Sequence, residues 1–261
     1  MNDQSPIDMR RRTMIKGVAS LPLATILANP AYAEAVAEQL EEVNITTPGG
    51  RDVTAWLAVP ETTPAPALVV IHEWWGLTDE VRAAAAEYAK EGYLALAIDL
   101  YQGKVGTTVQ EAMGLRQALD VEASEDTVGA WVDYLRAEPR STGKVGTVGW
   151  CFGGGWSLNT SLERPVDATV IYYGNVEKTA EELEALEGPV LGHFGTQDRM
   201  INDQMVAGFE AALKEAGKTY TIHWYDANHA FANPTGMAYD EEDAKLSWER
   251  TLAFLEEHLK S

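Results

Sequence analysis

Two hydrophobic periods alternate along most of this 261-residue chain. Continuous apolar runs over 67–71, 94–98, 145–149, 168–172, 190–194 and 220–224 have the length of strands, and several are apolar throughout, as in a parallel sheet covered on both faces. Between them lie segments with helical spacing. The pattern predicts helices over 78–91, 124–137 (with Ser124 as cap), 179–186, 202–216 and 241–259, with helix formers also scattered through the polar stretch 102–122. Ahead of these, 43–46 and 53–59 alternate as a pair of strands joined through Pro48-Gly49-Gly50 into a hairpin. Repeated βα units predict an α/β fold with a mostly parallel central sheet flanked by helices in three layers. No repeat or long linker interrupts 34–261, which reads as a single domain.

The first 33 residues follow a different pattern. Arg10-Arg11-Arg12-Thr13-Met14-Ile15-Lys16 precedes a mildly apolar stretch over 17–28 and then Ala31-Tyr32-Ala33, the layout of a bacterial twin-arginine export signal with an A-x-A cleavage site. The apolar stretch is shorter than the ~20 residues that span a bilayer, and Pro22 interrupts it, which argues against a stable membrane anchor. Cleavage after Ala33, the twin-arginine machinery as a partner and a periplasmic location are the expectation. Charge narrows the partners further. With 20 basic against 40 acidic residues, a formal net charge of −20, the chain is poorly suited to nucleic acid or an anionic membrane surface. It contains one cysteine, so no disulfide can form within the chain, and an unpaired thiol in an oxidising compartment calls for a chemical explanation.

That cysteine lies in Gly149-Trp150-Cys151-Phe152-Gly153, directly after the 145–149 run, with the G-x-nucleophile-x-G spacing of a nucleophile elbow and a thiol in place of the usual hydroxyl. A strand-to-helix turn this sharp needs glycines beside the nucleophile, and the amino end of the following helix favours a thiolate. The alternative is a buried small hydrophobe in an ordinary βα turn. A thiol nucleophile needs a base and a group to orient that base. His229, in the small-residue loop after the last strand, is the candidate base; His72, His193, His223 and His258 are alternatives, the last two better suited to structural roles. Asp198, in Gly195-Thr196-Gln197-Asp198 after another strand, is the candidate acid, ahead of Asp203 and Asp226. Cys151, Asp198 and His229 follow the nucleophile–acid–histidine order of the α/β-hydrolases. Glu73 follows the 67–71 strand beside Trp74 and Trp75, a partly dry setting that should raise its pKa and let it exchange protons with the thiol. The backbone N–H groups of Trp74 and Phe152 are the candidate oxyanion hole.

Taken together, Ile71-His72-Glu73-Trp74-Trp75-Gly76 with Arg82, Asp99-Leu100-Tyr101, the cysteine elbow, Gly195-Thr196-Gln197-Asp198 and His229-Ala230-Phe231 resemble the dienelactone hydrolase family over roughly 43–259. The resemblance implies an α/β-hydrolase fold, no metal or organic cofactor, and hydrolysis of lactones or activated esters. It further implies Cys151 as nucleophile, His229 as base, Asp198 as orienter and Glu73 as the group that keeps the resting thiol neutral until substrate displaces it. A neutral thiol also resists oxidation.

Two arginines that bind the substrate carboxylate in the family pattern are replaced here by Gly103 and Asn233, with Lys104 a flexible partial substitute. A less anionic, apolar or aromatic ester or lactone is therefore expected, with Trp75, Trp150, Tyr101, Lys104 and Asn233 as candidate substrate contacts. Two other classes of function stay open on the sequence: a periplasmic ligand-binding or scavenging module on the same fold, and redox sensing through the lone thiol.

Overall fold

A computed structural model describes residues 28–261. Residues 1–27, which include the arginine run of the expected export signal, lie outside the described residues. Strands β1 (Glu41–Thr46) and β2 (Asp52–Ala58) form the leading hairpin, and β3 (Ala65–Ile71), β4 (Leu94–Ile98), β5 (Ser141–Trp150), β6 (Ala168–Tyr172), β7 (Val190–Gly195) and β8 (Tyr220–Tyr225) follow. They join in one eight-stranded sheet in the order β1-β2-β4-β3-β5-β6-β7-β8. The β1–β2 and β2–β4 pairings are antiparallel and the others parallel.

Period-two alternation sends successive side chains of each strand to opposite layers. Leu68, Val70, Ala95, Ala97, Val148 and Val170 pack beneath helices α2 (Asp79–Lys90) and α8 (Glu241–Leu259), through Ala85, Tyr88 and Leu255. Ala67, Val69, Ile71, Leu96 and Val145 pack on the other face against α4 (Val121–Ala137) and α5 (Phe152–Glu163), through Val128, Trp131 and Trp156. The lower part of that face is closed by α7 (Asp203–Glu215) through Phe209 and Leu213. Two short helices, α3 (Val109–Gln117) and α6 (Ala180–Leu183), complete the connections.

Strand β5 begins four residues ahead of the expected 145–149 run, and two helices also differ from the sequence expectation. Ser124 does not cap α4: the carboxylate of Asp120 accepts the N–H of Ala123 at 3.0 Å and starts the helix earlier, while the Ser124 hydroxyl turns back onto the Asp120 carbonyl. The helix expected over 179–186 is a single turn, capped by Thr179 and Glu182 in a reciprocal capping box. Helix α1 (Pro30–Ala37) packs along α2, with Ala33 fully buried against Ala83. The Ala31-Tyr32-Ala33 run thus lies inside a helix in this structure.

Candidate active site

Cys151 sits between β5 and α5, where the chain reverses within one residue. Its backbone adopts φ 54°, ψ −114°, a conformation that side-chain-bearing residues rarely take and that costs on the order of 1–3 kcal/mol. The flanking glycines make the turn possible by close approach. A Cβ on Gly149 would collide with the carbonyl of Gly153, and one on Gly153 with the carbonyls of Ile71 and His72. Three other non-glycine residues in the described chain have positive φ: Gln102, Tyr173 and Ala230, each at or beside a candidate site residue. Two of these, Tyr173 and Ala230, lie beside His229.

His229 lies in the loop after β8, as Asp198 lies in the loop after β7. The imidazole Nδ1 is 2.6 Å from Asp198 Oδ2. The other carboxylate oxygen of Asp198 accepts the N–H groups of Met200 and Ile201 at 2.8 and 3.0 Å. Gln197 ties the two loops together: its N–H donates to the Ala227 carbonyl at 3.0 Å, and its side-chain oxygen accepts from Asn228 at 3.0 Å. Neither alternative acid reaches His229. Asp226 accepts from Thr196 and Gln197, and Asp203 accepts the N–H of Gln204.

Electrostatics follow from this arrangement. Burial pushes the Asp198 carboxyl up, but the hydrogen bonds from His229, Ile201 and Met200 outweigh it and hold the group below the usual carboxylate range. For His229, burial works against the cation, yet the Asp198 carboxylate and the neighbouring Cys151 sulfur prevail, and the imidazole is raised to about 10. His229 Nε2 is buried without a partner of good hydrogen-bond geometry, and Cys151 is the neighbour that acts on it. Such contacts are often loose before substrate arrives.

Glu73 stands at the end of β3. Its Oε2 accepts from Asn233 Nδ2 at 2.8 Å, while Oε1 is buried and unpartnered. The amide is held in that orientation because Asn233 Oδ1 accepts from the backbone and hydroxyl of Thr235. Burial raises the Glu73 pKa to about 7, opposed by the Asn233 hydrogen bond and the nearby His229 charge. No hydrogen bond joins Glu73 to Cys151 among the described contacts.

Sequence reasoning kept His72 as an alternative base, and the structure gives it another role. It is fully buried, and its Nε2 accepts the N–H of Leu100 at 3.1 Å. That leaves Nδ1 to donate to the Glu73 carbonyl at 2.6 Å. The ring therefore fastens the ends of β3 and β4 together beneath the Glu73 loop, and it stacks on Phe152 at 5.6 Å. Only the fixed pairing with Leu100, 28 residues away, reveals this, and no local pattern announces it.

The N–H of Trp74 has no acceptor among the described residues, and Phe152 heads α5, where no preceding carbonyl of the helix can take its N–H. Both are free to bind an anionic oxygen. The Tyr101 hydroxyl is another buried, unpartnered group; burial raises its pKa, and the Cys151 sulfur adds to the shift against Arg116. Tyr173 packs edge-on to His229, with the ring centroids 5.2 Å apart. Buried polar atoms normally find partners, so orphans on Glu73, Tyr101 and His229 around one thiol describe a place prepared for a polar guest.

The candidate substrate contacts divide. Trp75, Trp150 and Asn233 line a cavity beside Glu73, Tyr101 is packed against His72 and Phe152, and Lys104 is exposed and outside the cavity lining. Arg82 lies over the Trp56 ring at 5.0 Å, away from this group. No cluster of three or more His, Cys, Asp or Glu suited to a metal occurs among the described residues.

The model of the dienelactone hydrolase family matches residues 53–259. A carboxymethylenebutenolidase of Pseudomonas putida is 32% identical over 230 residues, covering 82% of this chain and 95% of that protein. A Bradyrhizobium protein named as a probable 2-oxo-3-(5-oxofuran-2-ylidene)propanoate lactonase is 28% identical, covering 84% of this chain and 95% of its own length. Among solved structures, a Klebsiella pneumoniae protein described as a dienelactone hydrolase superposes with a TM-score of 0.73 at 26% identity, covering 82% of this chain and 98% of that one.

Proposed function

The chain belongs to the dienelactone hydrolase family and is a carboxylic ester or lactone hydrolase, and from that premise we propose that Cys151 is its nucleophile, served by His229 and Asp198. The observation that carries this reading is the asymmetry of His229: Nδ1 is tied to Asp198 at 2.6 Å, while Nε2 faces the thiol with no other partner. Asp198 fixes the tautomer and supports the imidazolium. The Cys151 thiol passes its proton to His229 as its sulfur attacks the ester carbonyl, and the oxyanion is held by the N–H groups of Trp74 and Phe152. Each such donor is typically worth about 3 kcal/mol to the transition state. Collapse expels the alkoxide, which takes its proton from His229 and leaves a thioester on Cys151. His229, now neutral, draws a proton from water as the water attacks the thioester. The acid departs and the pair is restored. Glu73, poised near neutrality, serves as a proton store that keeps the resting thiol neutral.

The substrate we propose is less anionic than a dienelactone. Gly103 and Asn233 stand where arginines would grip a carboxylate, Asn233 is committed to Glu73, and Lys104 points to solvent. Matched neutral and carboxylate-bearing chromogenic esters and lactones, assayed with the purified protein and its Cys151→Ala variant, test both points. Turnover of the neutral set that vanishes in the variant is expected, and equal turnover by the variant would remove the thiol from the mechanism.

We also propose twin-arginine export to the periplasm, which rests on Arg10-Arg11-Arg12 and Ala31-Tyr32-Ala33. Periplasmic fractionation of the full chain, lost when Arg11 and Arg12 are replaced by lysine, is the expected outcome; an unchanged cytoplasmic fraction in both would overturn it.

A further inference from the structure

Behind Glu73 lies a cavity of about 560 Å³ that neither Cys151 nor His229 lines. One wall is α2, through Val81 and Ala84; the facing wall is α8, through Ala244 and Trp248. Aromatic rings supply much of the remaining surface, with Trp75, Trp150 and Tyr239 among them. This volume falls within the ~300–1,000 Å³ of ordinary ligand pockets. It touches the chemical centre at two points, Glu73 and Tyr173, the latter with its ring 5.2 Å from that of His229.

Charge defines what the cavity refuses. Glu73 borders it on the inside, and Glu80 and Glu241 contribute two further carboxyls. Lys245 is the one basic residue in the lining; its side chain is 77% exposed and leans toward Glu249. An anion would meet acids with no buried cation to balance them. An apolar body gains by leaving water, and the buried unpartnered Oε1 of Glu73, when protonated, can donate to an oxygen of the ester group at its end.

We propose that this cavity between α2 and α8 binds the uncharged aromatic or alkyl part of the ester whose carbonyl is presented to Cys151. The inference rests on the thiol-hydrolase reading, and it names Ala84, Ala244 and Trp248 as specificity-determining positions. The chain enters past the Glu73 carboxyl, so the length and bulk of the apolar part, not a carboxylate, select the substrate.

The test is a series of p-nitrophenyl esters, acetate through octanoate with phenylacetate and a glutarate monoester, assayed for kcat/KM. The expected result is a preference of about tenfold or more for phenylacetate and hexanoate over acetate, with the glutarate monoester poorest. Ala84→Phe and Ala244→Phe fill the cavity from opposite walls, and each should collapse that preference toward one. Trp248→Ala enlarges it and should move the optimum to a longer chain. Should one filling variant fail to fold, the other carries the same test. Binding of the neutral ketone 4-phenyl-2-butanone to Cys151→Ala, followed by tryptophan fluorescence, separates the two readings. If ketone binding weakens at least fivefold on filling but no ester is hydrolysed by the unmodified protein, the hydrolase reading fails and the cavity stands as a binding site. If both filling variants keep the chain-length preference, the cavity does not hold the substrate and the inference is overturned.

Discussion

Two histidines from this sheet region, the buried His193 on β7 and the partly buried His229 just past β8, are surrounded in opposite ways. His193 has a partner on each nitrogen: Nδ1 lies 2.7 Å from the Tyr225 hydroxyl and Nε2 3.0 Å from the Thr251 hydroxyl. Burial, with His223 and Arg250 adding positive charge, pushes its pKa well below the ordinary histidine value. His229 has one nitrogen bound to a carboxylate and the other bare beside a sulfur, and its pKa is raised to about 10. A neutral ring satisfied at both ends is a cross-brace between β7, β8 and α8. A ring held at one end by an anion, with the other end empty, has a proton to move and somewhere to send it. Incomplete satisfaction, rather than burial or exposure, separates the two.

Substitutions should divide along the same line. The largest effects belong to the Cys151 side. Cys151→Ala is expected to abolish ester turnover, and His229→Ala to lower kcat by about 10³-fold or more, with circular dichroism unchanged in both. Asp198→Asn should follow, with a loss of about 10²–10⁴ in kcat, because the amide no longer selects the tautomer. It should also lower the His229 pKa, visible by NMR titration of the ring. A near-normal rate in Asp198→Asn would make the asymmetry of His229 incidental.

The pH dependence of stability sets the same two rings apart. His229 has a folded pKa above its unfolded value, so its contribution is complete below pH 6.5 and is lost as pH rises toward 10. His193 has a folded pKa below its unfolded value, so its contribution is present above pH 6.5 and is lost as the solution is acidified below that. His193→Phe should destabilise by about 1–3 kcal/mol, since the Tyr225 and Thr251 hydroxyls lose their partner. Its turnover should stay within about threefold of the parent. Denaturant melts at pH 5, 7 and 9 read both slopes; identical slopes in the parent and the two histidine variants would dissolve the comparison.

Much of this was legible along the chain, for reasons that differ by residue. The strands 94–98 and 168–172 and the helix 241–259 coincide with their structural counterparts because each is an unbroken apolar or amphipathic run between turn residues. Cys151 announced itself through its glycines, since close backbone approach leaves a mark in composition. Asp198 and His229 stand out as candidates by their places after strands. What could not be read depends on partners distant in sequence. Glu73 and Asn233 are 160 residues apart, and the donor that holds the carboxylate comes from a loop with no signature of its own. His72 and His193 look like site histidines until their second nitrogens are seen to be occupied. The start of α4 was misplaced because Asp120 and Ser124 are both competent caps, and only the backbone decides between them.

Glu73 carries the other half-satisfied group, and its effect on stability should be smaller. Its pKa is raised from 4.5 to about 7, so the fold is favoured below pH 4.5 and loses that margin as pH rises through 7. Glu73→Gln removes the penalty of an ionised buried carboxyl. It should stabilise the protein at pH 8, relative to the parent, by on the order of 2 kcal/mol more than at pH 4. Turnover should fall at the same time, the usual exchange at a site that stores an unfavourable group. A variant equally stabilised at both pH values would show that the carboxyl is not perturbed.

The smallest expected effect concerns Asn233, whose amide donates to Glu73 and favours its ionised form. Asn233→Ala removes that donor and leaves burial unopposed except by the His229 charge, so the Glu73 pKa must rise further. The sign is fixed, because a lost hydrogen bond to the charged form always moves an acid upward. The limb of the kcat/KM profile that titrates near pH 7 should shift upward by about 0.5–1 unit, with the maximal rate changed by less than about fivefold. Asn233→Asp should move the limb further, since a second carboxylate would face the first without a cation between them. Should neither variant displace the limb while both fold, the group titrating near neutrality is not Glu73. The empty nitrogen of His229 would then stand as the only half-satisfied group the chemistry uses.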